Sequence, residues 1–248
     1  MEKEQEKKVD AIKEFSRFAN QYDNYNIIQN EVAKTIVEQL PSKSYSTIVD
    51  IGSGSGAVYQ NIEKREIQYQ EFIALDSVQN MLDIHPSHKK VTKICADFNL
   101  IDTFNLFTVN KYGILLSSSA LQWSNSLNMT LNELSKKSQH AYFSLFTSAT
   151  FKTLHQVAQI ESPIYSTQTI KESMNQYYNC SYEVKNYTLT FSSVREMFHY
   201  IKRSGISGGN KQLSYKQMKH IMRVYPLDYL EFEVLFVKAK SLFYREYK

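Results

Sequence analysis

The chain is expected to adopt an α/β fold with a mostly parallel sheet and helices on both faces. Three observations lead there. Short apolar runs alternate with stretches of helical periodicity from residue 45 to residue 146. The first run ends in the glycine-rich turn Gly52-Ser53-Gly54-Ser55-Gly56. The second and third runs each end at an aspartate, Asp76 and Asp97.

The elements follow in order. Residues 2–40 read as helix, with Val9, Ile12, Phe15 and Phe18, then Val32, Ile36 and Leu40, at helical spacing, a break at Asn20–Asn26, and Pro41 as the stop. Strands are expected at Thr47–Ile51, Glu71–Leu75, Val91–Ala96, Tyr112–Ser117 and Ala141–Phe146. Beyond Phe146 the alternation changes. Residues 150–178 look helical and aromatic-rich, Tyr182–Phe191 is a strand, and Ser192–Ser204 is a helix with Ser192, Ser193 and Glu196 as its capping residues. A loop with Gly205, Gly208 and Gly209 leads to a helix over Leu213–Tyr225, with Ser214 as cap, and Tyr229–Ala239 is the last strand. The expected organisation is one domain: N-terminal helices at 1–40, a cofactor-binding core at 45–146, helical cap insertions with one strand at 147–225, and the last strand at 226–240.

Composition narrows the setting. A chain with 42% hydrophobic and 22% charged residues can bury a full core without staples. Cys95 and Cys180 lie far apart and form neither metal-ligand spacing nor a disulfide framework, so two buried thiols in a reducing compartment and no metal are expected. The charged start has no secretory pattern and no apolar run approaches a membrane span, which predicts a cytoplasmic protein with no membrane partner. The formal charge of +4 suits an acidic partner, but no Lys/Arg cluster is dense enough to suggest a nucleic-acid groove. A monomer is expected.

The glycine turn is the strongest local signal. A buried strand runs into it and a helix leaves it, so backbone amides and a helix N-terminus face a ligand at the carboxyl end of the first strand. Gly52, Gly54 and Ala57 also satisfy the dinucleotide pattern G-x-G-x-x-[G/A]. Two features favour S-adenosylmethionine: Asp50, whose carboxylate can accept hydrogen bonds from cofactor or loop, and Gly56, which completes a G-x-G-x-G spacing that resembles the methyltransferase loop. Asp76 can accept both ribose hydroxyls of either cofactor. Asp97 and Phe98 suit an adenine, the carboxylate accepting from the exocyclic amine and the ring covering the base. Ser53, Ser77, Met81 and Ser117 are grouped with these cofactor-binding residues.

Three further stretches carry a closer resemblance. Phe15-Ser16-Arg17-Phe18-Ala19-Asn20-Gln21-Tyr22-Asp23, Ser118-Ser119-Ala120-Leu121-Gln122-Trp123, and the pair Ile201-Lys202-Arg203-Ser204-Gly205 with Tyr225-Pro226-Leu227-Asp228-Tyr229 are similar to segments of the malonyl-acyl carrier protein O-methyltransferases of biotin synthesis. The resemblance spans roughly residues 15 to 240. The chain departs from that family at Gly113, where an aspartate is usual, at Ser117-Ser118, where the family has Ser-Asn, and in lacking a Pro-x-Gly turn at Ser138–His140.

The resemblance implies a Rossmann-like class I methyltransferase fold with a seven-stranded, mostly parallel sheet and a helical cap. It implies S-adenosylmethionine as cofactor and malonyl-acyl carrier protein as partner, the product being a malonyl methyl ester whose hidden charge lets it prime fatty-acid-type elongation. A carboxylate acceptor is already nucleophilic, so catalysis reduces to positioning. The residues implied at the reaction are Tyr22, closing over the cofactor, Gln122 and Trp123 after strand four, and Lys202, holding the malonyl group. Each also has a structural reading, as packing or as a solvated helix-end cation. His155 and His199 are expected to be structural or peripheral. Lys202, Arg203, Lys211, Lys216, Lys219 and Arg223 form either a solvated cationic face or a surface for an acidic carrier. The alternatives are a methyltransferase of another small acid or a quinone-type ring, a nicotinamide-dependent oxidoreductase, and a non-catalytic scaffold.

Overall fold

The computed structural model describes residues 26–203 and 215–245. Its elements are α1 (Ile27–Glu38), β1 (Tyr45–Ile51), α2 (Ala57–Lys64), β2 (Tyr69–Asp76), α3 (Gln79–Ile84), β3 (Val91–Cys95), β4 (Ile114–Ser118), α4 (Leu127–Lys137), β5 (His140–Phe146), α5 (Lys152–Ala158), α6 (Thr167–Asn175), β6 (Tyr178–Thr190), α7 (Val194–Arg203), α8 (Tyr215–Val224) and β7 (Tyr229–Ser241). Single 3₁₀ turns lie at Ile101–Asn105 and Leu121–Trp123.

The sheet has seven strands in the order β3-β2-β1-β4-β5-β7-β6. β1 to β5 run parallel and β7 runs antiparallel to both of its neighbours. The chain leaves β1 toward β2 on one side and returns to β4 on the other, so a crevice opens at the carboxyl ends of β1 and β4, where such sheets take ligands.

Alternation along the central strands sorts the core. Ile48, Phe72, Ala74, Ile114 and Leu116 pack with α1, α2, α7 and α8, while Val49, Ile51, Ile73, Leu75 and Leu115 pack with α4 and α6. The two-residue period of a strand makes both faces apolar, and helices cover each.

Differences from the sequence reading have local causes. The helical stretch expected over 150–178 is two short helices, α5 and α6, with Pro163 in the irregular segment between them. β6 starts at Tyr178 and not Tyr182, because its pairing with β7 continues to Tyr178↔Ser241. β4 starts two residues later than expected. Asn110 makes a turn there, its side-chain oxygen accepting from the Tyr112 amide at 2.9 Å, and Gly113 follows. A Cβ on Gly113 would lie 2.5 Å from Val109 Cγ1 and 2.9 Å from the Thr47 carbonyl oxygen, so the backbone is packed too tightly there for any side chain. At α7, Ser193 Oγ accepts from the Glu196 amide at 3.2 Å and Glu196 Oε2 accepts from the Ser192 amide at 3.0 Å, a reciprocal cap. The two thiols are not buried as expected: Cys95 is exposed and Cys180 half-buried. The helix expected over residues 2–25 and the cap at Ser214 lie outside the described residues.

Candidate functional site

A cleft of about 950 Å³, its open mouth included, lies at the carboxyl ends of β1, β2 and β4. Its floor is the glycine loop. The Gly52 and Ser53 amides donate to the Leu75 carbonyl at 2.7 and 2.9 Å, which holds the loop against the end of β2. Gly52 has φ +74°, and a Cβ there would come within 2.3 Å of Ala120 Cβ. Gly54 has φ +53°. Both positions thus demand glycine, one for space and both for conformation.

Asp76 locks the loop from the side. Its Oδ2 accepts from the Gly54 amide at 2.8 Å and its Oδ1 from the Val78 amide at 2.9 Å. Burial raises its pKa, the Val78, Gly54 and Ser77 amides pull it down, and the Asp97 carboxylate adds a smaller upward push. Each carboxylate oxygen has two acceptor sites, so these bonds leave capacity for ligand hydroxyls. Asp97 Oδ1 accepts from the Asn99 amide and side chain at 2.9 and 2.8 Å, fixing the wall on which Phe98 lies.

Asp50 differs from the other two. It is fully buried, and neither carboxylate oxygen has a hydrogen-bond partner in the structure. Burial first, and the Asp76 carboxylate second, raise its pKa to about 8. Ser53 Oγ, Ser119 Oγ and Gln29 Oε1 are also buried, unpartnered and on residues lining the cleft. Ionised by a cationic partner, Asp50 offers two acceptor oxygens, Gln29 Oε1 offers a third, and the two hydroxyls accept as readily as they donate. Such a lining matches a ligand that brings donors and positive charge.

The residues singled out in the sequence fall into three groups. Asp50, Gly52, Ser53, Gly54, Asp76, Ser77, Met81, Asp97, Phe98 and Trp123 all line the cleft. Gly56, Ser117 and Gln122 are not among the residues that line it. Gly56 is the N-cap of α2, where a Cβ would lie 2.7 Å from Pro86 Cδ. Ser117 is fully buried and donates to the Ile51 carbonyl at 2.7 Å, tying β4 to β1, and the following Ser118 and Ser119 face the cleft instead. Gln122 Nε2 donates to the Ser119 carbonyl at 2.7 Å, bracing a residue held at φ +59°. Finally, Tyr22 lies outside the described residues, and so does the side chain of Lys202 within α7. His155 and His199 do not line the cleft, His155 lying beside Phe151 and His199 being exposed.

The sequence reading missed the roof. Asn26, Gln29 and Ala33, from α1 and its N-cap, close the cleft from above. A signal existed: Gln29, Val32, Ala33 and Ile36 share one helical stripe, all buried, and Gln29 is its one amide.

The cap helices contribute nothing to the lining among the described residues, which runs from Asn26 to Trp123. The described residues that line the cleft include no Lys, Arg or His. A dinucleotide would place a pyrophosphate beside Asp50 and Asp76 with no side-chain cation to meet it. S-adenosylmethionine brings an ammonium and a sulfonium instead, and the residues present fit it. Among the described residues no group of three or more His, Cys, Asp or Glu is placed to hold a metal, and no helix is long and apolar enough to cross a membrane.

No family model matches the chain. Among curated proteins it is similar to a malonyl-[acyl-carrier protein] O-methyltransferase of Bacillus cytotoxicus, 25% identical, with 93% of this chain and 88% of the relative covered. Among solved structures it resembles the YcgJ protein of Bacillus subtilis, with TM-score 0.60, 10% identity, and 85% of this chain and 98% of that chain covered. It also resembles a Haemonchus contortus phosphoethanolamine N-methyltransferase solved with S-adenosyl-L-methionine, with TM-score 0.55, 14% identity, and 91% of this chain and 57% of that chain covered. The sheet order is the seven-stranded, mostly parallel one that the resemblance implied, and the fold is that of the class I methyltransferases. With that fold, with full-length methyltransferase relatives, and with a cleft whose acceptors suit the cofactor, the chain is a methyltransferase of the S-adenosylmethionine-dependent class.

Proposed function

We propose that the chain transfers a methyl group to the free carboxylate of a malonyl thioester carried on acyl carrier protein. The observation that carries this reading is the make-up of the cleft. Among the described residues its lining has no His, Lys, Tyr or Cys, and its three carboxylates, Asp50, Asp76 and Asp97, are the ones this reading gives to the cofactor, which leaves no side chain over as base for an acceptor that must first lose a proton. A carboxylate is ionised at neutral pH and needs none. The similarity to a malonyl-[acyl-carrier protein] O-methyltransferase over most of both chains supports the same acceptor.

S-adenosylmethionine, when bound, supplies a methyl group on a sulfonium that departs as a neutral thioether, so the carboxylate becomes an ester with no proton changing hands. The chain's own residues do the positioning. Asp76 orients the ribose while holding Gly54, and Asp50, Gln29 and Ser53 take the donors of the methionine end. Asp97 and Phe98 hold the adenine. Ser118, Ser119 and Trp123, beyond β4, border the space for the acceptor, with Gln122 fixing Ser119 in its left-handed conformation. Tyr22 and Lys202 keep the roles the resemblance implies for them, covering the cofactor and holding the malonyl group.

The test is mass spectrometry of the protein incubated with S-adenosylmethionine and malonyl-acyl carrier protein, with free malonate in parallel. A single added methyl on the malonyl carrier, lost in Asp76→Ala, is expected. An unmodified carrier beside methylated malonate would move the assignment to small free acids.

A further inference from the structure

The net positive charge of this chain is concentrated in one segment. Residues 192–225 hold seven Lys or Arg and one Glu, a formal charge of +6, whereas the whole chain carries +4, so the remainder sums to −2. Within that segment α8 holds Lys216, Lys219 and Arg223 and no acidic residue. These three recur at positions i, i+3 and i+7, one face of the helix, and all are exposed. Ile221 and Tyr225, 2% and 7% exposed, anchor the opposite face in the core. No ion pair among the described residues engages the three cations.

Topology sets the C-terminal end of this helix at the working edge of the sheet. The chain leaves α8 and enters β7 at Tyr229, which pairs with Thr190 at the end of β6. Phe146, at the carboxyl end of β5, pairs with Val234, five residues further along β7. The start of β7, and the end of α8 before it, therefore lie at the edge where β1, β2 and β4 open into the cleft. Yet no described residue of α7 or α8 lines the cleft. A cationic face beside a cleft, but not in it, suits a substrate that docks in one place and reacts in another.

We infer that the Lys216–Lys219–Arg223 face of α8 is the docking surface for an acidic carrier protein that delivers its acyl group to the cleft on a flexible thioester arm. This inference rests on the malonyl-thioester reading above and adds to it where the carrier binds. The cations steer encounter and set register, and they take no part in chemistry.

The experiment compares wild type with the triple variant Lys216→Glu, Lys219→Glu, Arg223→Glu on two substrates. One is the malonyl carrier protein. The other is malonyl-N-acetylcysteamine, a small thioester with neither carrier nor phosphate. The expected result is a fall of at least about tenfold in kcat/KM for the carrier at low salt, with no change for the small thioester. Wild-type kcat/KM for the carrier should also decline with added salt, and the variant's should decline much less. Equal kcat/KM of the two proteins on the carrier across the salt series would overturn the docking surface and leave the methyl-transfer reading standing. Wild type that methylates neither substrate would overturn that reading, and the docking surface with it. Wild type that retains a mixed-sequence DNA duplex but not the carrier would assign the face to nucleic acid and overturn the proposal.

Discussion

Gly54 donates its backbone N–H to Asp76 Oδ2 at 2.8 Å, joining the glycine loop to the end of the neighbouring strand across 22 residues of sequence. The carboxylate that can hold a ribose is thereby the one that shapes the floor beneath it. Replacing Asp76 by Ala removes both functions, and replacing it by Asn keeps one acceptor for the loop amide. Cofactor affinity, measured by titration calorimetry, should fall about a hundredfold for Ala and about tenfold for Asn, in line with charge-assisted hydrogen bonds worth about 1.5–3 kcal/mol. Equal losses in the two variants would mean that the loop amide contributes nothing.

Gly52→Ala is expected to destabilise the fold by about 2 kcal/mol or more, from overpacking and a disfavoured φ. The collision partner is Ala120 Cβ, at 2.3 Å from the added atom. The double variant Gly52→Ala, Ala120→Gly removes the collision and keeps the strained φ, so urea denaturation should show partial recovery. Full recovery would make the contact the whole cause.

Asp50 supplies a pH prediction whose sign follows from its raised pKa. In the folded, cofactor-free protein the group holds its proton up to about 8, whereas its ordinary value is 3.8. Between those values the folded state binds one more proton than the unfolded state, so this group makes stability decline as pH rises. Asp50→Asn should remove that slope. In thermal denaturation without cofactor the variant should exceed wild type at pH 8, and the gap should shrink toward pH 5. A gap that widens on acidification would contradict the assignment.

Gln29→Leu tests the roof. The change removes an unpartnered buried acceptor and keeps an apolar contact, so the cofactor-free protein should keep or gain stability. Cofactor affinity should fall about three- to tenfold, the worth of one neutral hydrogen bond. Unchanged affinity would place this oxygen away from the ligand.

What the sequence could show depended on where the determinants lie. β1 to β5 are short apolar runs punctuated by turns, and their order follows from alternation with helices. The lower end of β6 was not legible because its partner, the far end of β7, lies some sixty residues away, and only long-range pairing extends it to Tyr178. At the site, the glycine turn and the strand-end aspartates are local patterns and could be read directly. Which of Ser117 and Ser118 borders the cleft was not legible, because adjacent residues in a strand face opposite ways and a shift of one residue exchanges the cleft for the core. Gln29 was missed because a polar residue on an apolar stripe matters only when something covers it.

Gly113 bears on how this chain could have diverged from the proteins it resembles. That family usually places an aspartate here, yet the backbone leaves no room beside Val109 and the Thr47 carbonyl. The difference is therefore not a lone acid gained or lost. It is one member of a set that must change together, the 109–113 turn with the start of β4. An aspartate placed here alone would strain the turn whatever it did for the chemistry. A chain that carries an acid at this place needs a differently shaped turn, so the residue found here reports on how the backbone enters β4.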